Sequence, residues 1–230
     1  MYAPSPHVGR SVDVIDAVDA GVDALAHIVY PEEITDEAVA KVAARHVPLI
    51  ATISVFDSQE RFLQEKPAPY LAIEKEMARP EVLAALAVIP PSFDQRPIEP
   101  VIRSIIEGHA ARRKNVAKLR AAGVTVLAGS DSANIGHVPG ASLHVELRAL
   151  VESGMTPAEA LRAATSDNAR FLASDHADFG EVAPGKRADL VLVDGDPLAD
   201  IAAIDAIRLV ILDGVMLERH RPDSAAASVH

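Results

Sequence analysis

Ala122-Gly-Val-Thr-Val-Leu-Ala-Gly-Ser-Asp131 decides how the rest of the chain is read. A glycine opens a short apolar run, Val124 to Ala128, with the length and β-branched content of a buried strand, and a Gly-Ser break then delivers an acidic side chain. Asp131 therefore stands at the carboxyl end of a strand. In α/β folds the loops leaving those ends converge on one crevice, where chemistry is usually placed. Taken alone, an aspartate there can equally be a helix cap or an Asx-turn residue, so its surroundings have to decide.

Upstream of that stretch, Val101 to Ala121 reads as one long helix closed by Gly123. Downstream, a Gly- and His-bearing loop leads to helices over Ser142–Glu152 and Pro157–Phe171, the second with Thr156 as N-cap and Pro157 at its first position. The N-terminal part alternates as well. One helix carries Val12, Ile15, Ala17 and Val18 and ends at Gly21; the apolar run Val22–Ile28 contains His27; a second helix runs from Thr35 or Asp36 to Ala44; and Val47–Val55 is a β-rich run ending in Phe56 and Asp57. Alternating helix and strand favours a parallel sheet. Residues 57–100 depart from this pattern, because Pro67, Pro69, Pro80, Pro90, Pro91, Pro97 and Pro100 leave room only for short helices at Tyr70–Met77 and Glu81–Val88. Such an insertion is a lid or wall over a site, or else a packing or oligomer contact. From Gly180 the period becomes two: Asp189–Asp194 and Ile207–Leu217 read as strands, the latter folded at Asp213-Gly214, and the tail from Pro222 reads as frayed.

A chain of 230 residues can bury a substantial core, and its net charge of -11 argues against a nucleic-acid or anionic-membrane partner. The one basic cluster, Arg112-Arg113-Lys114, reads as a solvated helix face. There is no cysteine, so any metal must be held by histidine and carboxylate. Neither a secretory leader nor a membrane span is recognisable, and a cytoplasmic location is expected.

The residues that can carry chemistry gather at one end of the expected sheet. His7 precedes the first helix and His27 ends the strand after it, so both belong at carboxyl ends of neighbouring strands, as Asp131 does. Two neutral imidazoles and one anionic oxygen suit zinc with a position left open for water, although by spacing alone each histidine can instead be satisfied by backbone. His137, in the loop after Asp131, is a candidate substrate contact or a plain surface histidine. His46, His109 and His144 sit where capping or packing is expected, and Ser130 lacks the Gly-x-Ser-x-Gly elbow of a serine hydrolase.

Several motifs follow one another in order: Asp16-Ala-Val-Asp-Ala-Gly-Val-Asp-Ala-Leu-Ala-His27, Ile34-Thr-Asp-Glu37, Ala122–Asp131, Leu143-His-Val-Glu-Leu147, Gly154-Met-Thr-Pro-Ala-Glu-Ala-Leu-Arg-Ala-Ala-Thr165, Asn168-Ala-Arg170, Gly185-Lys-Arg-Ala-Asp-Leu-Val-Leu-Val-Asp194 and Asp196-Pro-Leu198. Together they resemble the second half of the metal-dependent amidohydrolase superfamily, nearest to its imidazolonepropionase- and prolidase-like branch, over nearly the whole chain except 57–100. The resemblance implies an α/β fold, a partial (half) TIM-type (β/α) barrel holding strands five to eight. Residues 1–175 would form it, with 57–100 as a lid-like insertion, 176–221 as a small β-sandwich segment and 222–230 as a disordered tail. It implies His7 and His27 as metal ligands after strands five and six. Asp131, after strand eight, would bind metal or take the proton from metal-bound water.

Family members also carry a His-x-His pair after strand one and a bridging Lys or Glu after strand four. No His-x-His occurs in this sequence, so one zinc ion is expected rather than two. The expected function is hydrolysis of amide, cyclic amide, ester or lactone bonds in a small-molecule substrate by metal-activated water. The alternative is a catalytically silent half-barrel acting as a structural or interaction subunit, or a truncated reading of a longer gene. Half a barrel leaves open sheet edges and an exposed apolar face, so a homodimer, or a separate chain supplying the missing half, is expected.

Overall fold

The computed structural model describes residues 8–64, 70–86, 99–132, 134 and 136–218, apart from the side chains of residues 63 and 64. In chain order the elements are α1 (Ser11–Asp19), β1 (Leu25–Ala26), α2 (Asp36–Arg45), β2 (Leu49–Ile50), α3 (Ile53–Gln64), α4 (Ala72–Met77), α5 (Pro80–Leu86), α6 (Glu99–Glu107), α7 (His109–Ala121), β3 (Val126–Leu127), α8 (Ala141–Glu152), α9 (Pro157–Ala164), α10 (Ser166–Ala173), β4 (Leu190–Val193), β5 (Ile207–Leu212) and β6 (Val215–Leu217).

β1, β2 and β3 form a parallel sheet in that order, with Leu25 opposite Leu49 and Leu49 opposite Val126. Parallel neighbours require crossovers, which α2 and the α3–α7 region supply. One face of the sheet is packed by helices: the register partners Leu25, Leu49 and Val126 share one core with Val14 and Val18 of α1, Val42 of α2, Val116 and Leu119 of α7 and Leu150 of α8, while Ala26 and Ile50, on the opposite face, are half-buried. Val8 donates its N–H to Ala26 O at 3.2 Å, so the chain ahead of α1 runs beside β1. Buried Asn115 of α7 ties in the loop after β1, accepting from Ile34 N and donating to Val29 O and Glu32 O, each at 2.8 Å.

Local signals place many element ends. Thr35 caps α2 by accepting from Ala38 N, and Thr156 with Glu159 forms the reciprocal capping box of α9, with Pro157 in its first turn. Asp213 and Gly214 both take positive φ, 50° and 77°, as a two-residue hairpin turn between β5 and β6 requires.

Elsewhere tertiary contacts override the pattern. The β-rich run Val47–Val55 is not one strand: β2 stops at Ile50, and α3 begins at Ile53. The helix expected over Val101–Ala121 is two, α6 and α7, parted at Gly108. A Cβ there would lie 1.6 Å from Tyr30 O, so this backbone-to-backbone approach admits no larger residue. Pro157–Phe171 likewise divides at Thr165 into α9 and α10, and Asn168 of α10 donates to Ala128 O at 2.9 Å, locking that helix to the end of β3. Arg112 and Arg113 are not a solvated face: Arg112 is fully buried.

β4, β5 and β6 form a separate antiparallel sheet, in which Leu190 faces Ile211 and Val210 faces Leu217. Ile207, Val193 and Val210 pack on Ile73, Leu83, Val138 and Ala141, so this sheet leans on the insertion helices α4 and α5. Val191, Leu192, Leu212, Val215 and Met216 remain exposed, and the second layer of a sandwich is not among the described residues. Residues 222–230 lie outside them too. Among the described residues no helix is long and apolar enough to cross a membrane.

The Gly108 contact is measurable. Gly108→Ala is expected to cost about 2–3 kcal/mol in urea unfolding, because the methyl meets backbone that cannot retreat. Gly21→Ala, at a positive φ with open space around it, is expected to cost only about 1 kcal/mol.

Candidate functional site at the carboxyl ends of the parallel strands

Each of the three parallel strands is followed by a non-glycine residue in the left-handed region: His27 at φ 69° after β1, Thr52 at 50° after β2 and Asp131 at 48° after β3. Such a conformation costs an L-residue roughly 1–2 kcal/mol, and strain of this kind concentrates where side chains are aimed for function. The aim is visible. His27, 8% exposed, places Nδ1 2.5 Å from Thr52 Oγ1 and Nε2 3.9 Å from Asp131 Oδ2. Its ring meets Phe56 edge-on at 5.7 Å between centroids, and Phe56 stacks on Tyr30. Asp131 keeps 40% of its side chain exposed while Oδ2 accepts from Asn134 Nδ2 at 3.0 Å. A buried imidazole thus faces a solvent-accessible carboxylate.

The Gly-Ser break before Asp131 has a steric cause. A Cβ on Gly129 would lie 2.5 Å from Ile50 Cγ2, so only glycine lets the end of β3 pass β2. Beyond Asp131, Ser130, Ser132 and Ser142 form a hydroxyl chain with steps of 2.7 and 2.8 Å. His137 is not a surface histidine. It is 1% exposed, with Nδ1 3.4 Å from Asp131 O and Nε2 without a partner, and burial pushes its imidazole below the usual histidine range, so it is neutral at pH 7. The insertion covers this loop. Arg61 of α3 reaches Gly136 O and pairs with buried Glu74 of α4 at 2.6 Å, while Glu74 Oε2 accepts from Leu71 N. His7 lies outside the described residues.

A second grouping lies behind the site, between α3 and α7. Ligand atoms of Asp57, Glu60 and His109 fall within 4.8 Å of one another, close enough to make a candidate metal site. Its charge is already met: Arg112 donates to Asp57 and Glu60 at 3.2 Å each, and Arg113 donates to Asp57 at 2.7 Å. A cation there would have to displace a guanidinium. Arg112 also donates to Ile105 O and lies 5.3 Å over the Phe56 ring, so the cluster buttresses the wall against which His27 packs. Reading Val47–Val55 as a strand hid it, since Asp57 and Glu60 share a face only once α3 is a helix.

Glu146 of α8, in the Leu143–Leu147 motif, is fully buried. Its Oε2 accepts the backbone N–H of Ser54 at 2.7 Å, and Oε1 has no partner. Burial pushes its carboxyl up to about 7, against the lowering by Ser54 and Ile53 and with the charge of Asp57 adding to the rise.

A parallel sheet with His27 and Asp131 at its carboxyl ends, followed by a small antiparallel sheet, defines a mixed α/β fold of amidohydrolase type. Residues 7–217 match the model of the Amidohydrolase family, and the chain belongs to that family. It is 26% identical over 198 residues to an ochratoxinase of Aspergillus niger, which covers 86% of this chain and 33% of the relative. A 5-methylthioadenosine/S-adenosylhomocysteine deaminase of Symbiobacterium thermophilum is 33% identical over 120 residues, 46% of this chain and 27% of that protein. Among solved structures, a Xaa-Pro dipeptidase with bound methionine aligns at TM-score 0.68 with 22% identity, covering 92% of this chain and 44% of its own. A putative prolidase from Bifidobacterium longum aligns at 0.66 with 24% identity, covering 96% and 49%. The chain thus spans about a third of the ochratoxinase and less than half of those structures.

The buried carboxyl of Glu146 makes stability depend on pH. Its folded value of about 7 stands above the ordinary 4.5, so its contribution is complete below pH 4.5 and is lost as pH rises through 7. Glu146→Gln, which keeps an acceptor and cannot ionise, is expected to match the wild type in urea unfolding near pH 4. Near pH 8 it should be more stable, by on the order of 3 kcal/mol.

Proposed function

We propose that this chain carries part of the metal site of a metal-dependent hydrolase acting on amide, cyclic amide, ester or lactone bonds of a small molecule. Family membership and the similarity to an ochratoxinase and to prolidase-type structures support a hydrolase role. The observation that carries the reading is His27 Nε2 facing Asp131 Oδ2 at 3.9 Å. Two ligands of one zinc ion, each about 2.0–2.2 Å from it, stand roughly 3–4 Å apart, so this pair fits. Thr52 supports the fit by holding the other nitrogen of His27, as partners of metal-bound histidines do. His7 is the third ligand of the proposal on the resemblance, and one ion is proposed rather than two. A bound divalent metal would supply a water-derived nucleophile at neutral pH and polarise the scissile carbonyl.

The chain's own residues do the rest. Asp131 accepts a proton at Oδ and returns it to the leaving group, reachable from solvent and steadied by Asn134. Neutral His137 packs beneath the Asp131 backbone, and it contacts substrate only if the loop opens. The Arg61–Glu74 pair holds the insertion as a wall over that loop.

The exposed Val191, Leu192, Leu212, Val215 and Met216 support pairing with a second copy or with a chain supplying the other half-barrel. Light scattering at micromolar concentration is expected to show a dimer or larger, and a monodisperse monomer would sink the pairing. Titrating zinc into metal-free protein is expected to saturate near about one equivalent. His27→Ala and Asp131→Asn should each weaken binding at least about tenfold, while Glu60→Gln should leave it unchanged. The opposite pattern would move the metal to the α3–α7 cluster.

A further inference from the structure

Glu146 is a buried carboxyl that the catalytic reading leaves unused, and its position relative to Thr52 points to a task. Thr52 precedes the first residue of α3, the place where a threonine ordinarily turns its hydroxyl onto the helix's open N–H groups. Here it does not. Its φ of 50° is far from the extended conformation of an N-cap, and its hydroxyl is 2.5 Å from His27 Nδ1. The open end of α3 is met from another element. Glu146 Oε2 accepts the Ser54 N–H at 2.7 Å across 92 residues of sequence, while the Ser54 hydroxyl and Glu146 Oε1 are buried without a hydrogen-bond partner.

We infer that Glu146 is a positioning residue for His27: by capping α3 from α8 it frees the Thr52 hydroxyl to hold His27 Nδ1. Without that carboxyl the N–H of Ser54 would be buried and unmet, and Thr52 Oγ1, on the residue before α3, is an acceptor of the kind that turns onto such a group. His27 Nδ1 would then lose its bond to Thr52, a constraint that favours one tautomer and turns Nε2 towards Asp131. Left-handed strain at Thr52 is sustained only while the surroundings over-determine it, and Glu146 is part of those surroundings. The inference rests on the reading of His27 as a ligand only for its functional consequence. The positioning itself is a property of the metal-free chain.

Long-range proton–nitrogen NMR of the intact chain, labelled at histidine nitrogen and free of metal, reads the tautomer of His27 directly. The wild type should show one tautomer, with the proton on Nδ1, and Glu146→Gln, which keeps an acceptor for Ser54 N–H, should leave it unchanged. Glu146→Ala should give a tautomer mixture, and Thr52→Val should produce the same change without touching the cap. Zinc affinity is the second readout, expected to fall about tenfold in Glu146→Ala and to hold in Glu146→Gln. Should the alanine variant fail to fold, Glu146→Asp, which withdraws the carboxyl by one methylene, takes its place. A folded Glu146→Ala or Glu146→Asp protein with a wild-type His27 spectrum overturns the inference, as does a Thr52→Val protein whose His27 is unmoved. A wild type that binds no zinc while these tautomer shifts appear refutes the proposed function and leaves the positioning role standing.

Discussion

The contact between His27 Nδ1 and Thr52 Oγ1 joins the ends of neighbouring strands, and it forms because both residues leave the sheet in the left-handed conformation. Had Thr52 continued β2 in extended geometry, its hydroxyl would follow the alternation of the strand rather than the helix that starts one residue later. The two turns are therefore one device. The strain at His27, Thr52 and Asp131 is borne by a densely packed sheet whose Leu25, Leu49 and Leu127 are almost wholly shielded from water.

Behind this device stands a wall of charge. Arg112 is sealed between Asp57, Glu60, the Ile105 carbonyl and the face of Phe56, and Phe56 in turn presents its edge to the His27 ring. Buried ion pairs of this sort give little net stability over an apolar packing, but breaking one side is costly because the other charge is left stranded. Helix α3 also carries Arg61 outward to Glu74, so it connects the ring-packing side of the site to the insertion that covers the Asp131 loop.

The antiparallel sheet shows the other side of the design. β4 and β6 are apolar on both faces, as is β5 apart from Arg208, yet among the described residues Val193, Ile207 and Val210 pack on Ile73, Leu83, Val138 and Ala141 while Val191, Leu192, Leu212, Val215 and Met216 stay exposed. The parallel strands pack the Leu25, Leu49 and Val126 face against helices of this chain, while Ala26 and Ile50 on the other face stay half-buried.

Sequence alone determined what depends on residues a few positions apart. Gly129-Ser130 marked the end of β3 and put Asp131 beyond it; Thr35 and Thr156 marked helix starts, because a cap and the N–H groups it satisfies lie within one turn; Asp213-Gly214 marked the hairpin, because its positive φ values are a local requirement. The order of motifs also carried the family, which the match over residues 7–217 shows. What tertiary structure decided lies between residues far apart in the chain: the early start of α3, capped by Glu146 from 92 residues away, and the break at Gly108 against Tyr30 O. The burial of Arg112 against Asp57 and the withdrawal of His137 from the surface belong to the same group. No local window contains both partners of such contacts, and a side chain that reads as solvated or extended by its neighbours takes its role from whatever the fold brings against it.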